Sequence, residues 1–302
     1  MIRKCIIMLV LVFLAACSAK PLQTATSTPG LPKVLAVETF LADIVRNVAG
    51  DRLIVDSLLP INSDPHSYQP APRDIIKVSE SNVLVINGGG IETFFEPLLD
   101  NAGGSQLVIT ASAGLTSLPD PSGEHPEGDP HFWMDPNNVI RYVENIRDGL
   151  IQADPQGKQY YMDNAVAYIA KLKTLDTWIV DQVALIPPEY RLLVTNHESL
   201  GYFATRYGFT LVGSIIPSVS SESVPTASQL AELIDQIRAS GARAIFMETG
   251  ANTDLAEQIS AETNVILVTN LYTASVSDMQ GPAPTYIDMM KYNVNQIVNA
   301  LK

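Results

Sequence analysis

Residues 158–186 contain neither glycine nor proline, and Tyr161, Ala165, Tyr168, Leu172, Leu175, Ile179, Val183 and Ile186 recur there at steps of three and four. That spacing lays one apolar stripe along a helix. At roughly 1.5 Å per residue the helix is about 45 Å long. Pro187 and Pro188 stop it, because proline cannot continue the backbone hydrogen bonding. A rod of this length separates the chain into a part before it and a part after it.

Both parts alternate between strand and helix patterns. Before the rod, "VLAVE" (34–38), "LIVDSLL" (53–59), "VLVIN" (83–87) and "LVIT" (107–110) are short apolar runs that read as strands. Between them, "FLADIVRNVAG" (40–50) and "IETFFEPLLDNAG" (91–103) have helical spacing and end at glycine. After the rod come "LLVT" (192–195), "TLVGS" (210–214), "QLAELIDQIRAS" (229–240), "RAIFME" (243–248), "DLAEQISAET" (254–263), "VILVTN" (265–270) and a last helix from about Tyr286. Alternation of this kind predicts parallel α/β structure. The expected architecture is two α/β lobes joined by one long helix, divided as 33–154, 155–188 and 189–302.

The start of the chain predicts export. "MIRK" is basic, and the apolar run at 5–16 is too short to span a membrane comfortably. It ends in "LAAC", which resembles a lipoprotein cleavage site with Cys17 as the lipidated first mature residue. Residues 1–16 are then a lipoprotein signal peptide. Residues 17–32, small, polar and proline-containing, read as a flexible tether. With Cys5 removed, Cys17 has no partner for a disulfide. The mature chain carries 17 basic and 32 acidic residues, a net charge of −15. That field disfavours a nucleic-acid partner and favours cations.

The chain has only four histidines, and two of them follow the same dipeptide, in "SDPHSYQP" (63–70) and "GDPHFWMDP" (128–136). Proline fixes one backbone dihedral, so His66 and His131 are presented from pre-organised loops. His66 lies just beyond one strand candidate and His197 just beyond another. In open α/β sheets ligands gather at such carboxyl ends. Taken singly, each is a turn with an exposed histidine; the shared loop context of His66, His131 and His197 also supports a metal site. His125 sits in a Pro/Gly/acid-rich loop at 119–130 and reads as a surface residue. Phe132 and Trp133 read as packing. "VLVINGGG" has Thr93 where a dinucleotide fingerprint needs its third glycine, and no Walker-type or nucleophile-elbow motif is present.

Taken together, "LAAC", "SDPHSYQPAPRD", "VLVINGGGIETFFEPLL", "DPHFWMDPNNV", "VTNHESLGYFATRYG", "AIFMETGANT" and "APTYIDMMKYNV" resemble the cluster A-I substrate-binding lipoproteins of zinc and manganese ABC importers. The resemblance implies a metal held in the cleft between two lobes by His66, His131 and His197. Histidine at 197 is similar to the zinc-type members. It also implies an ABC permease and its ATPase as partners, a lipid anchor in the membrane and a monomeric, non-enzymatic receptor. The family's fourth ligand is usually Asp in a "YTDS"-like stretch; here "LYTASVSD" has Ala274 in its place. Three imidazoles suit Zn²⁺, with Mn²⁺ the alternative cargo. Glu248, Asp278 and Glu198 are candidates to complete the shell, and Asp64 and Asp129 to orient imidazoles from behind. A zinc hydrolase with three histidines and a bound water is the competing class.

Overall fold

The computed structural model describes residues 30–120, 123 and 125–302. The signal segment, Cys17 and residues 17–29 of the tether lie outside the described residues. The first lobe runs β1 (Val34–Ala36), α1 (Thr39–Ala49), β2 (Val55–Ser57), α2 (Pro72–Glu80), β3 (Val83–Ile86), α3 (Phe95–Asn101) and β4 (Leu107–Thr110). Its sheet is wholly parallel, in the order β2-β1-β3-β4. Two helices follow, α4 (Pro136–Ala153) and α5 (Lys158–Val183). The second lobe runs β5 (Leu192–Thr195), α6 (Gly201–Tyr207), β6 (Thr210–Ser214), α7 (Ala227–Ser240), β7 (Ala244–Glu248), α8 (Asp254–Thr263), β8 (Ile266–Leu271) and α9 (Tyr286–Leu301). Its sheet is parallel too, with the matching order β6-β5-β7-β8.

The expected long helix is α5, and every residue of its apolar stripe from Tyr161 to Val183 is buried. The helix ends three residues before Ile186, which is nevertheless fully buried beyond it. α5 packs against α1, α4 and α9. One continuous apolar cluster therefore joins the lobes, with Phe40, Trp133, Tyr161, Leu172, Phe203 and Met290 among its members. Each lobe keeps a smaller cluster on its far side, around Leu58 and Leu84 in the first and Val194 and Ile245 in the second.

Caps explain where several helices begin. Asp135 accepts the Asn137 backbone N–H at 2.8 Å, and Pro136 occupies the first turn of α4. Thr226 and Gln229 form a reciprocal capping box on α7. At α9 the first-lobe residue Asp43 accepts the Tyr286 N–H at 2.9 Å, and the Tyr286 hydroxyl donates to the Trp133 carbonyl at 2.6 Å. Trp133 stacks on Phe40 with ring centroids 4.4 Å apart, the packing role expected for it.

Candidate metal centre

Three loops at the carboxyl ends of strands or beyond them bring the histidines together. His66 comes from the β2–α2 loop, His131 from the segment entering α4, and His197 from the β5–α6 loop. Their exposures are 8%, 1% and 3%. The Nε2 atoms of His66 and His197 lie 3.3 and 3.2 Å from Nε2 of His131, and the three ligand atoms all fall within 4.8 Å of one another. Nitrogens on a tetrahedral zinc at about 2.0–2.1 Å are separated by roughly 3.3 Å. The spacing thus matches a shared metal ion better than it matches direct imidazole–imidazole hydrogen bonding, which would leave one buried nitrogen serving two neighbours.

The repeated Asp-Pro-His has a local meaning. In each copy the aspartate accepts the histidine's own backbone N–H, Asp64 Oδ1 from His66 and Asp129 Oδ1 from His131, both at 2.9 Å. Each is an Asx-type turn with proline as its middle residue. Beyond that the two copies differ. Asp129 Oδ1 also lies 2.8 Å from His131 Nδ1, so it favours the tautomer whose Nε2 lone pair faces the other two imidazoles. Asp64 instead accepts from Ser67 and, across the lobes, from the Ser221 hydroxyl. Gly128, just before the second copy, has φ +84°, and a Cβ there would sit 2.3 Å from the Leu118 carbonyl oxygen. Only glycine lets the chain enter that turn.

His197 is oriented by Glu248. Glu248 Oε1 lies 2.9 Å from His197 Nδ1, within ion-pair distance though off the line of the ring N–H, and accepts the Ser199 hydroxyl at 2.9 Å. Burial opposes a charge on His197, but Glu248, with Asp64 and Asp129, outweighs it and raises the pKa. Burial pushes the Glu248 carboxyl up; His197 beside it, with Ser199, more than offsets this and holds it below the usual range. His66 is pushed well below its ordinary value by burial and then by the other histidines. It is neutral near pH 7, as a ligand must be.

The three candidate fillers of the shell separate clearly. Glu248 stands behind His197. Asp278 is exposed, and Glu198 lines a different cavity with Leu118, Pro119 and Asp129. No carboxylate joins the three imidazoles among the described residues. Ala274 lines a cleft of about 540 Å³ between the lobes, together with Asp64, Asn196, Ser221 and Glu248. The His125 backbone N–H donates to Asp120 at 2.8 Å, and His125 is not one of the three residues whose ligand atoms converge. Sequence reasoning did not find the cross-lobe hydroxyls. Ser275 Oγ accepts the Asn62 N–H at 2.9 Å and meets Thr39 Oγ1 at 3.1 Å, and Ser221 binds Asp64. No spacing signal could have found contacts between residues so far apart in sequence.

A family model described as zinc-uptake complex component A, periplasmic, matches residues 34–300. The chain belongs to that family. The manganese-binding lipoprotein MntA of Halalkalibacterium halodurans is 36% identical over 297 residues, covering 98% of this chain and 97% of MntA. The Mn-bound periplasmic metal-binding protein of Candidatus Liberibacter asiaticus superposes with a TM-score of 0.81 at 30% identity, over 90% of this chain and 100% of that one. The periplasmic zinc-binding protein TroA of Treponema pallidum gives a TM-score of 0.81 at 27% identity, over 90% and 99%. As a member of the zinc-uptake component A family, the chain is an extracytoplasmic metal-binding receptor of an ABC importer. The family consists of substrate-binding components, not enzymes.

Proposed function

We propose that this chain captures Zn²⁺ with His66, His131 and His197 and presents it to a membrane permease driven by an ATPase. The observation that carries the reading is the triangle of buried Nε2 atoms with edges of 3.2 and 3.3 Å at His131. Three neutral nitrogens favour zinc over manganese, which prefers more oxygen donors. The second reading is a Mn²⁺ receptor, supported by the names of relatives such as MntA. Cys17 carries the lipid that holds the otherwise soluble, monomeric receptor at the membrane, and residues 33–154 and 189–302 are its two lobes.

The test is competitive Zn²⁺ and Mn²⁺ titration of purified residues 18–302, wild type and each His→Ala variant. Tighter zinc than manganese binding, lost by at least tenfold in every variant, is the expected result. Tighter manganese binding would favour the second reading. Zinc affinity that survives all three substitutions would end the three-histidine assignment. Membrane retention of a Cys17→Ser chain would end the lipid-anchor assignment.

A further inference from the structure

Two of the three imidazoles have a carboxylate behind them. Asp129 Oδ1 lies 2.8 Å from Nδ1 of His131, and Glu248 Oε1 lies 2.9 Å from Nδ1 of His197. Among the described residues no carboxylate stands within ion-pair distance of the His66 ring, which is also the most exposed of the three at 8%. Its direction is therefore set by the loop that carries it. That loop is fastened on both sides, and to different lobes. Past His66 it is tied into its own lobe: the Tyr68 hydroxyl and the Ala71 N–H donate to Asp74 at 2.7 and 2.8 Å. Before His66 it is tied to the second lobe. Ser275, in the β8–α9 loop, accepts the Asn62 N–H at 2.9 Å and is itself held by the buried hydroxyl of Thr39 at 3.1 Å. Ser221, in the β6–α7 loop, donates its hydroxyl to Asp64 Oδ2, while Asp64 Oδ1 accepts the His66 N–H.

We infer that Ser221 is a positioning residue for His66: its hydroxyl latches the His66 loop to the second lobe through Asp64, and the metal leaves by release of this imidazole first. The inference rests on the three-histidine reading. His197 belongs to the second lobe, and the segment carrying His131 is bound to that lobe by two buried contacts. The Tyr202 hydroxyl donates to the Asp129 carbonyl at 2.7 Å, and the Trp133 indole N–H donates to the Thr273 carbonyl at 2.6 Å. These two imidazoles stay together when the His66 loop moves. The Ser275 contact, backed by Thr39, is a fixed pivot at Asn62, whose φ of +62° places it at a sharp turn. The Ser221–Asp64 contact is different. It is part-buried, and both residues line the cleft of about 540 Å³, where water can take the place of the hydroxyl. When it does, Asp64 is freed from the second lobe and the turn it forms with the His66 N–H is no longer anchored there.

The test measures zinc release by stopped flow, mixing the purified zinc-loaded chain with an excess of chelating dye. Ser221→Val should release zinc about tenfold faster, the loss expected for a hydrogen bond to a charged acceptor, with the association rate within about twofold of wild type. Ser221→Thr has nearly the shape of the valine variant but keeps a hydroxyl, and its release should stay within about twofold of wild type. In a His66→Ala background Ser221→Val should change release by less than about twofold, because its route to the metal is gone. Ser221→Ala takes the place of the valine variant should that one not fold. Unchanged release in the hydroxyl-free variant overturns this inference, and the three-histidine reading stands. Equal release rates in the threonine and valine variants, or an undiminished acceleration in the His66→Ala background, overturn it as well. If zinc binding survives loss of the three histidines, the underlying reading fails and carries this one with it.

Discussion

Asp129 Oδ1 holds both ends of one residue, accepting the backbone N–H of His131 at 2.9 Å and lying 2.8 Å from its Nδ1. A single carboxylate oxygen thus sets the turn, the tautomer and the direction of Nε2. Asp129→Asn keeps the shape but presents an amide that can turn its NH₂ toward the ring. Metal affinity should fall by about 10–100-fold, with little change in melting temperature. Competition against a chelator of known affinity reads the first quantity and thermal unfolding the second. Unchanged affinity would mean that the turn alone positions the imidazole.

Gly201 guards the same carboxylate. A Cβ at this position would lie 2.6 Å from Asp129 Oδ2. Gly201 opens α6, where alanine is the better helix former. Gly201→Ala should therefore leave the fold intact while pushing Asp129 away from His131. Zinc affinity should drop by roughly the same factor as in Asp129→Asn. The double variant should be no weaker than either single one, since both act through one contact. Additive losses would show that Gly201 acts elsewhere.

On the proposed assignment, protons and metal compete for the imidazoles. His66 has a lowered pKa and His197 a raised one, so as pH falls His197 is the first of these two to protonate. Zinc affinity should decline on acidification from above the ordinary histidine pKa of about 6.5. Glu248→Gln removes the charge that raises His197, so the onset of the decline should move to lower pH. Titrations in steps between about pH 8 and 5.5 would show the shift. Superimposable wild-type and variant profiles would contradict the assignment of Glu248 as the group that sets His197.

The helix at 158–186 was legible because its burial follows from periodicity alone. α2 and α6 were not specified from sequence, since 9 and 7 residues span too few turns to show a period. For α4 the local signal is at its start, where Asp135 caps the helix and Pro136 occupies the first turn. The three histidines emerged as a set through strand-end context and the family motifs, because no two share a helix face. The use of Asp129 against His131 was foreseeable from Asp-Pro-His, but the divergence of Asp64 toward Ser221 was not. Glu38 was invisible: it ends an apolar run in a place where a carboxylate normally reaches water.

Glu38 is fully buried, no N–H or hydroxyl donates to its carboxylate among the described residues, and it meets Glu92, with which it can share a hydrogen bond only when one of the two is protonated. Glu92 accepts the backbone N–H groups of Asn87 and Gly88, and from the other side Tyr142 of α4 donates its hydroxyl to Asn87 Oδ1. Burial, then Glu92, raises Glu38 well above its ordinary 4.5; burial raises Glu92 to about 7. Folded-state values above the unfolded ones mean that this contribution to stability is complete below about pH 4.5 and is lost as pH rises through about 7 and beyond. Glu38→Gln cannot ionise. Its melting temperature should match wild type near pH 4.5 and exceed it by a few degrees, roughly 2–6 °C, at pH 8. A constant difference across that range would show that Glu38 does not titrate in the folded chain.

The matching strand orders of the two sheets give the carboxyl pair a counterpart. Glu38 lies two residues past the end of β1 and His197 two past the end of β5, the equivalent central strands. Ala36 pairs with Val85 and Thr195 with Phe246, so two residues further on Asn87 answers to Glu248. The same corner of the sheet thus holds an imidazole beside a carboxylate, His197 with Glu248, in the second lobe, and a sealed acid beside an amide-bearing strand end, Glu38 near Asn87, in the first. The first lobe's own histidines then come from the edge-strand loop and the α4 entrance, places with no counterpart ligand in the second.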